Sequence, residues 1–301
     1  MKIVKIYPEM SKFHFGYLGL DIDDTIFHSD SLFSTILINF IRKKGEDGIE
    51  SFVEAFPKIS SLFYGFNAKK EVLFIPTFLG LKFPDKLLNE DRKIPKKVKF
   101  ISMKAIGRED IRLNYKKDLA YLEDEGDDIN LFSDHIEEKV SIDRQTLTAA
   151  EDNLYNISYV VPEKNTFFYF FVDGDLNEDL KKSIEMIKIF GLGGRVNTGS
   201  GKIKDIKIDE YNDFDSKGNY FINLSVVFPK KEELNNVIKY KLIERKGWIY
   251  NDTKRKNNIL GFAEGSLFSD KIEGEIKKEI IDNKKIYRYG KAFLMQVNYD
   301  E

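Results

Sequence analysis

The alternation of apolar and polar positions along the chain predicts two compact units of mixed α/β character. Lys2 to Tyr7 reads as a first strand, and Asp30 to Arg42 as a helix capped by Ser29 or Asp30, whose side-chain oxygens can accept the open N–H groups of the first turn. Val72 to Phe78 reads as a second strand, followed by a long polar stretch to Asn153. Thr166 to Val172, TFFYFFV, is a nearly continuous apolar run, the pattern of a strand buried on both faces. Glu178 to Phe190 places Leu180, Ile184, Ile187 and Ile189 among Lys and Glu, as an amphipathic helix does, and Ile203 to Ile208 alternates Ile with Lys and Asp, as a half-buried strand does. The order is βαββαβ, the ferredoxin-like or RNA-recognition topology, with a large excursion in its middle. Tyr220 to Phe228 opens a second unit, with a short helix from Lys230 to Ile238 and strands around Tyr240 to Trp248, Leu260 to Phe268 and Ala292 to Asn298. The expectation is an α+β chain of two ferredoxin-like (RRM-like) domains in tandem. They cover 1–212, with an insertion at about 80–153, and 213–301, and the polar segment Asp209 to Asn219 joins them.

The candidate chemistry concentrates between the Glu178 helix and the Ile203 strand. Phe190 to Lys202 reads FGLGGRVNTGSGK, with five glycines within eleven residues and the cations Arg195 and Lys202. Glycines permit positive φ and close approach of a ligand to the main chain, so such a loop can turn several N–H donors on one anion. A P-loop needs strand then helix, and Ser or Thr after its lysine, where Ile203 stands here; a dinucleotide fingerprint needs a third glycine at Val196. Both nucleotide readings fail. An ordinary helix-to-strand turn needs only a glycine or two, so a phosphate cradle is the favoured account.

The form G-x-G-G-[basic]-x-x-x-G-x-G-[basic], between a helix and the last strand of a ferredoxin-like unit, resembles the signature of the RAMP proteins of CRISPR interference complexes. Ser29-Asp30-Ser31-Leu32-Phe33-Ser34, Ser141-Ile142-Asp143-Arg144-Gln145-Thr146, Arg255-Lys256, Glu264-Gly265-Ser266 and Tyr287-Arg288-Tyr289-Gly290 follow in the order expected of the subgroup that forms the fourth Csm subunit of type III-A complexes. The resemblance implies that the excursion is a protruding thumb or hairpin. It also implies that the chain holds the repeat-derived 5′ handle of the guide RNA (crRNA), bridges the large palm-domain subunit to the backbone RAMP subunits in antiviral defence, and uses no cofactor. The amides of Gly191, Gly193, Gly194, Gly199 and Gly201, with Arg195 and Lys202, would clamp phosphates. Asn197, Thr198 and Ser200 would hydrogen-bond phosphate, ribose or base edges. Relatives often carry further basic or serine residues where this chain has Asn197-Thr198. Asp143 and Arg144, at the base of the thumb, would position or kink RNA, or pair with each other in a hairpin. Lys254, Arg255 and Lys256 form a basic cluster that touches RNA or faces solvent. Tyr287-Arg288-Tyr289 offers stacking surfaces or packs on a sheet, and Glu264-Gly265-Ser266 fixes a bend.

Composition narrows the setting. The chain of 301 residues has no cysteine, which leaves no disulfide or thiolate site, and no apolar run of membrane-spanning length, so a cytoplasmic protein is expected. The formal net charge of -2 argues globally against a nucleic-acid binder, but the charge is segregated: Arg92 to Lys117 holds ten Lys or Arg against two acids, and Asp118 to Glu138 nine acids and no Lys or Arg. Such runs could form a basic face for RNA and an acidic one for a neighbour, or two solvated loops.

Two catalytic readings compete with binding. Asp21-Ile22-Asp23-Asp24-Thr25 fits the D-x-D-x-T signature of Mg²⁺-dependent haloacid-dehalogenase phosphatases, with Asp21 as nucleophile and Asp23 handling the proton, yet the succession of βαβ units such a sheet requires is missing. A metal-independent guide-processing endoribonuclease would use His14, His28 or His135 as general acid or base. The RAMP subgroup implies neither activity.

Overall fold

The computed structural model describes residues 1–16, 25–114, 116–142, 149–214 and 217–299. Strand β1 (Lys2–Pro8) leads to helix α1 (Ser29–Lys44) and the short helix α2 (Ile49–Glu54). Strands β2 (Lys58–Ile59), β3 (Phe63–Asn67) and β4 (Glu71–Pro76) follow, then helices α3 (Asp85–Glu90) and α4 (Ile94–Lys97) and strands β5 (Phe100–Ser102), β6 (Ile111–Asn114) and β7 (Leu119–Leu122). A long hairpin, β8 (Phe132–Ile142) with β9 (Ala149–Pro162), precedes β10 (Thr166–Asp173), helices α5 (Glu178–Glu185) and α6 (Ile187–Phe190), and β11 (Ile203–Glu210). The main sheet has the order β11-β1-β10-β3-β4-β5-β7-β6, with β2 also on β10; only β5 and β7 run parallel.

The central strand β10 explains its own sequence. Phe168, Phe170 and Val172 face α1 and α5, where they meet Leu32, Phe33, Ile36, Leu180 and Ile184, whereas Phe167, Tyr169 and Phe171 face the opposite side and pack with Ile222, Leu224, Phe293 and Met295 of the C-terminal half. A strand covered on both faces has no polar side to alternate with. The predicted second strand is corrected: Glu71–Pro76 is a strand, but it lies outside β3, which occupies the place beside β10. Gly65 in the middle of β3 disguises it, because a Cβ there would stand 2.1 Å from the Phe167 ring; the missing side chain is the seat of that ring.

The second half contains β12 (Tyr220–Asn223), a 3₁₀ turn (Lys231–Asn236), β13 (Val237–Lys239), the pair β14 (Leu242–Arg245) and β15 (Ile259–Phe262), β16 (Leu267–Phe268), the hairpin β17 (Lys277–Ile281) with β18 (Lys284–Arg288), and β19 (Leu294–Val297). Its four-stranded sheet is ordered β13-β16-β12-β19, all antiparallel. Read from its β19 edge, this is the sequence order four-one-three-two, the same order in which β11, β1, β10 and β3 lie. The expected helix from Lys230 to Ile238 is a 3₁₀ turn whose Lys230 amide is held by Glu233 Oε2 at 2.8 Å, and the chain is extended again by Val237. The expected strand from Leu260 to Phe268 is broken at Glu264-Gly265-Ser266, where Gly265 has φ 81° and its Cβ would meet the Phe78 backbone at 2.9 Å.

A polar seam joins the halves at the start of α1. The helix begins at Ser29 with His28 before it and no side-chain cap, so neither Ser29 nor Asp30 caps it. Ser29 Oγ instead accepts the Val226 amide at 3.0 Å, and Ser61 Oγ accepts the Ser29 amide at 2.8 Å while donating to Glu264. His28 Nδ1 lies 2.9 Å from Glu264 Oε1. Arg245 Nε donates to Asp30 Oδ2 at 2.8 Å and Nη2 to Ser31 Oγ at 2.7 Å. Tyr289 Oη accepts the Ile59 amide at 2.6 Å.

Candidate nucleic-acid interface

The glycine loop is locked before it can cradle anything. Its amides at Leu192, Gly194 and Gly201 donate to Gly201 O, His14 O and Lys12 O at 2.8–2.9 Å, and the Lys202 amide reaches Ser11 Oγ at 3.3 Å. The glycines permit this self-packing: a Cβ at Gly201 would stand 2.2 Å from Leu192 O, one at Gly193 2.7 Å from His14 O, and one at Gly191 2.9 Å from Gly201 O. Only Gly199, with φ 90° and open space around it, is required by backbone conformation alone. The segment Ser11 to Phe15 that clamps the loop also ties it to the long hairpin, through paired hydrogen bonds of 2.8 Å between Phe13 and Val160, His14 Nδ1 at 3.0 Å from Ser158 O, and a Lys12–Glu137 ion pair.

What remains open is a compact set. Among the described residues, the amides of Gly193, Arg195, Val196 and Asn197 have no acceptor, and the Arg195 and Lys202 side chains have no ion pair. Arg195 itself is left-handed, φ 60°, with Thr198 Oγ1 donating to its carbonyl at 2.8 Å. Asn197, Thr198 and Lys202 are exposed. Ser200 is corrected: it is buried beneath the loop, its Oγ without a partner, and it does not present a hydroxyl to the surface.

Gly193 forms one wall of a crevice of about 210 Å³ between the halves. Asp30, Ser31, Ser34 and Thr35 of α1, Phe27, Lys246-Gly247, Lys256, Tyr287 and Arg288 complete it. Burial pushes the pKa of Asp30 up, but the adjoining Arg245 guanidinium more than offsets this and holds the carboxyl below its ordinary range. Asp30 is 9% exposed, and its Oδ1, unlike Oδ2, accepts no hydrogen bond. Burial, reinforced by Arg288, pushes the Lys256 ammonium below its ordinary value. Arg245, Arg288 and Lys246 are paired with Asp30, Glu279 and Glu244, which leaves Lys256 the crevice cation without an ion pair among the described residues. The crevice adjoins a groove of about 1090 Å³, with which it shares Ser34, Lys256 and Tyr287; Leu37, Ile38 and Ile41 of α1 line it opposite Trp248, Tyr250 and Ile286.

The remaining sequence expectations separate in space. Lys254, Arg255 and Lys256 do not act as one cluster: Lys254 pairs with Asp282, Arg255 lies over the Trp248 ring at 4.7 Å, and Lys256 turns into the crevice. Tyr287 and Tyr289 are buried and pack rather than stack on a ligand face, and Arg288 Nε binds Glu279 at 2.9 Å. The segregated charge runs pair in part, with each other through Lys99–Asp118 and Arg112–Asp127 and locally through Lys97–Asp91 and Arg108–Asp110, at 2.5–3.0 Å. Asp143, Arg144, Asp21 and Asp23 lie outside the described residues. Among those described, no group of acidic or histidine side chains is arranged to hold a metal ion, and no helix is long and apolar enough to cross a membrane. Sequence reasoning missed Asp30, Lys246 and the Ser11–Phe15 clamp as parts of the site. Asp30 lay within a quoted motif, but its partner Arg245 is 215 residues away.

Comparison with known proteins agrees with this architecture. The RAMP superfamily profile matches residues 31–204, and that of the CRISPR Csm4 C-terminal domain matches 216–297. The CRISPR system protein Csm4 of Methanocaldococcus jannaschii is 32% identical, with 99% of this chain and 98% of that protein covered; Csm4 of Streptococcus thermophilus is 25% identical over 87% of each. Among solved structures, a chain of the Csm3–Csm4 subcomplex of a type III-A CRISPR interference complex superposes with a TM-score of 0.71 at 28% identity, covering 99% of this chain and 100% of that one. A chain of a Csm1–Csm4 cassette bound to AMPPNP shares the fold at 15% identity and a TM-score of 0.61, covering 100% of this chain and 98% of its own. The chain belongs to the RAMP superfamily and, within it, to the Csm4 family.

Proposed function

We propose that this chain is a non-catalytic RNA-binding subunit of a type III-A CRISPR effector complex, in which it holds the 5′ handle of the crRNA and joins a large Csm1-type subunit to a backbone of Csm3-type subunits. The observation that carries the reading is the rigid loop whose four unspent amides, with Arg195 and Lys202, open beside a crevice containing Lys256. Backbone donors on a preformed loop bind phosphate with little ordering cost, and they read no sequence of their own. Solved relatives that pair Csm4 with Csm3 and with Csm1 support the two protein contacts. At His28 the structure favours binding over cleavage, since that ring is buried against Glu264.

The chain divides in this reading into 1–212, with the excursion at about 80–153 forming the thumb, and 213–301. Each part is a ferredoxin-like unit. In the second, the 3₁₀ turn and the β17–β18 hairpin stand where helices stand in the first, and the common strand order supports the equivalence. A subunit of this kind works in the cytoplasm. Fluorescence anisotropy with a handle-bearing guide RNA and a handle-scrambled control, across a salt series, tests the function. Preference for the native handle that persists as salt rises is expected; equal, salt-erased binding of both RNAs would reduce the chain to an electrostatic platform.

A further inference from the structure

We propose that Trp248 is a platform on which a base of the handle stacks, at the point where the crevice opens into the larger groove. The inference rests on the proposed RNA-binding function and goes beyond it by assigning a binding residue that holds a base by its ring face. Trp248 is the one tryptophan of the chain, and it is 59% exposed. Its position is nevertheless fixed. Trp248 pairs with Arg255 across a turn in which the Ile249 amide donates to Lys254 O at 3.0 Å and the Lys256 amide to Gly247 O at 2.8 Å. The Arg255 guanidinium, which makes no ion pair among the described residues, lies over the indole at 4.7 Å. The rest of the ring is left open beside the groove that it lines.

The chain itself carries this platform from one cavity to the other. Lys246 and Gly247 line the crevice, the next residue is Trp248 in the groove, and Ser34, Lys256 and Tyr287 belong to both. The cation suited to a phosphate, Lys256, and the ring suited to a base therefore come from paired positions of one turn. A cationic track beside an aromatic face is the recurring device of single-strand binding, because every base offers a π-face. The far end of the groove excludes the RNA backbone. Ser34 stands on α1 at the crevice end, whereas Glu46 and Asp47 follow the end of that helix about three turns away, where a phosphate would meet like charge. The wall opposite Trp248, formed by Leu37, Ile38 and Ile41, is aliphatic and suits a base but no phosphate. An apolar protein segment would fit that wall but leave Lys256 and Arg255 without a counter-charge; a nucleotide matches both features.

Because the chain has one tryptophan, its selectively excited emission reports Trp248 alone. Titrating the full chain with handle RNA should quench this emission along the same isotherm that the anisotropy of a labelled handle follows. Trp248→Leu, which fills the groove wall without an aromatic face, should weaken binding by about fivefold or more, and Trp248→Phe by less. In both variants the slope of log affinity against log salt should stay unchanged, since stacking neutralises no phosphate. Handles made abasic at one position at a time should reveal a single position where base removal weakens binding to the native chain by a similar factor yet costs Trp248→Leu nothing further. Emission that stays constant while the handle binds overturns the platform, as does Trp248→Leu binding like the native chain. A weakened variant with a flattened slope also overturns it, and assigns the loss to a displaced Arg255. Emission that responds to a purified Csm1-type or Csm3-type subunit and not to RNA makes the groove a protein contact instead. Each of these results leaves the proposed function standing, whereas failure to bind any handle RNA overturns both.

Discussion

Replacing Arg245 with methionine would strip the buried carboxylate of Asp30 of its counter-charge. Both side chains are nearly sealed, at 6% and 9% exposure, and they meet at 2.8 Å. Removing one partner of such a pair leaves an uncompensated buried charge and costs roughly 3–5 kcal/mol. The pH dependence carries the sign. In the native chain Asp30 titrates below its ordinary range, so the pair stabilises the fold above the pKa of an unfolded carboxyl, and that contribution is lost as pH falls through the folded value. In Arg245→Met the guanidinium is gone and burial, the largest influence on the group, is opposed only by the smaller pulls of His28 and Lys256, which raises the carboxyl toward mild acidity. The gap between native and variant should therefore be largest near neutrality and narrow as pH falls toward the carboxylate range. Urea unfolding at several pH values measures it. The double replacement Asp30→Leu with Arg245→Met should recover most of the loss, since an apolar pair of similar volume is often neutral in such a site. A loss below about 1 kcal/mol at neutral pH, or a gap that widens in acid, would refute the reasoning.

Two further perturbations probe the scaffold. Gly201→Ala drives a Cβ to 2.2 Å from Leu192 O at φ 73° and should cost about 3 kcal/mol or more together with RNA binding, whereas Gly199→Ala, in open space at φ 90°, should cost about 1–2 kcal/mol in the same urea titration. Tyr289→Phe leaves the ring packed on Phe33 but strips the Ile59 amide of its 2.6 Å acceptor, and a destabilisation of about 1–3 kcal/mol is expected in denaturant midpoints without any change in the salt dependence of RNA binding.

The strongest patterns in the sequence survived because they report a single dominant environment. Thr166 to Val172 is apolar throughout because both faces of β10 are covered, and the Glu178 helix and Ile203 strand show the period of one buried face. The glycine loop was legible as a special backbone, but its purpose was not. Most of its glycines serve close contact with Lys12, His14 and the loop itself, partners that no local pattern announces. Strand β3 was hidden by Gly65, a residue that reads as a breaker until the Phe167 ring above it is seen. The polar start of α1 looked like a cap because Ser and Asp favour that position. Tertiary partners from the other half claimed those side chains instead. The meeting of the two charge runs was hidden for the same reason, since Lys99 and Arg112 find Asp118 and Asp127 only once β5, β6 and β7 are laid side by side.

The central claim is that the loop beside the crevice grips the RNA backbone, and the measurement that meets it most directly is the salt dependence of handle binding by the native chain and by Arg195→Ala with Lys202→Ala. Each phosphate contact to a single strand contributes about 0.7 to the slope of log affinity against log salt, so loss of two contacts should flatten the slope by about 1.4. Between 50 and 200 mM salt that difference amounts to about sevenfold in affinity. Neither side chain makes an ion pair among the described residues, so the thermal midpoint should scarcely move. A flattened slope with an unchanged midpoint is the predicted result. An unchanged slope would contradict the account, and would place the RNA on some other face of the molecule.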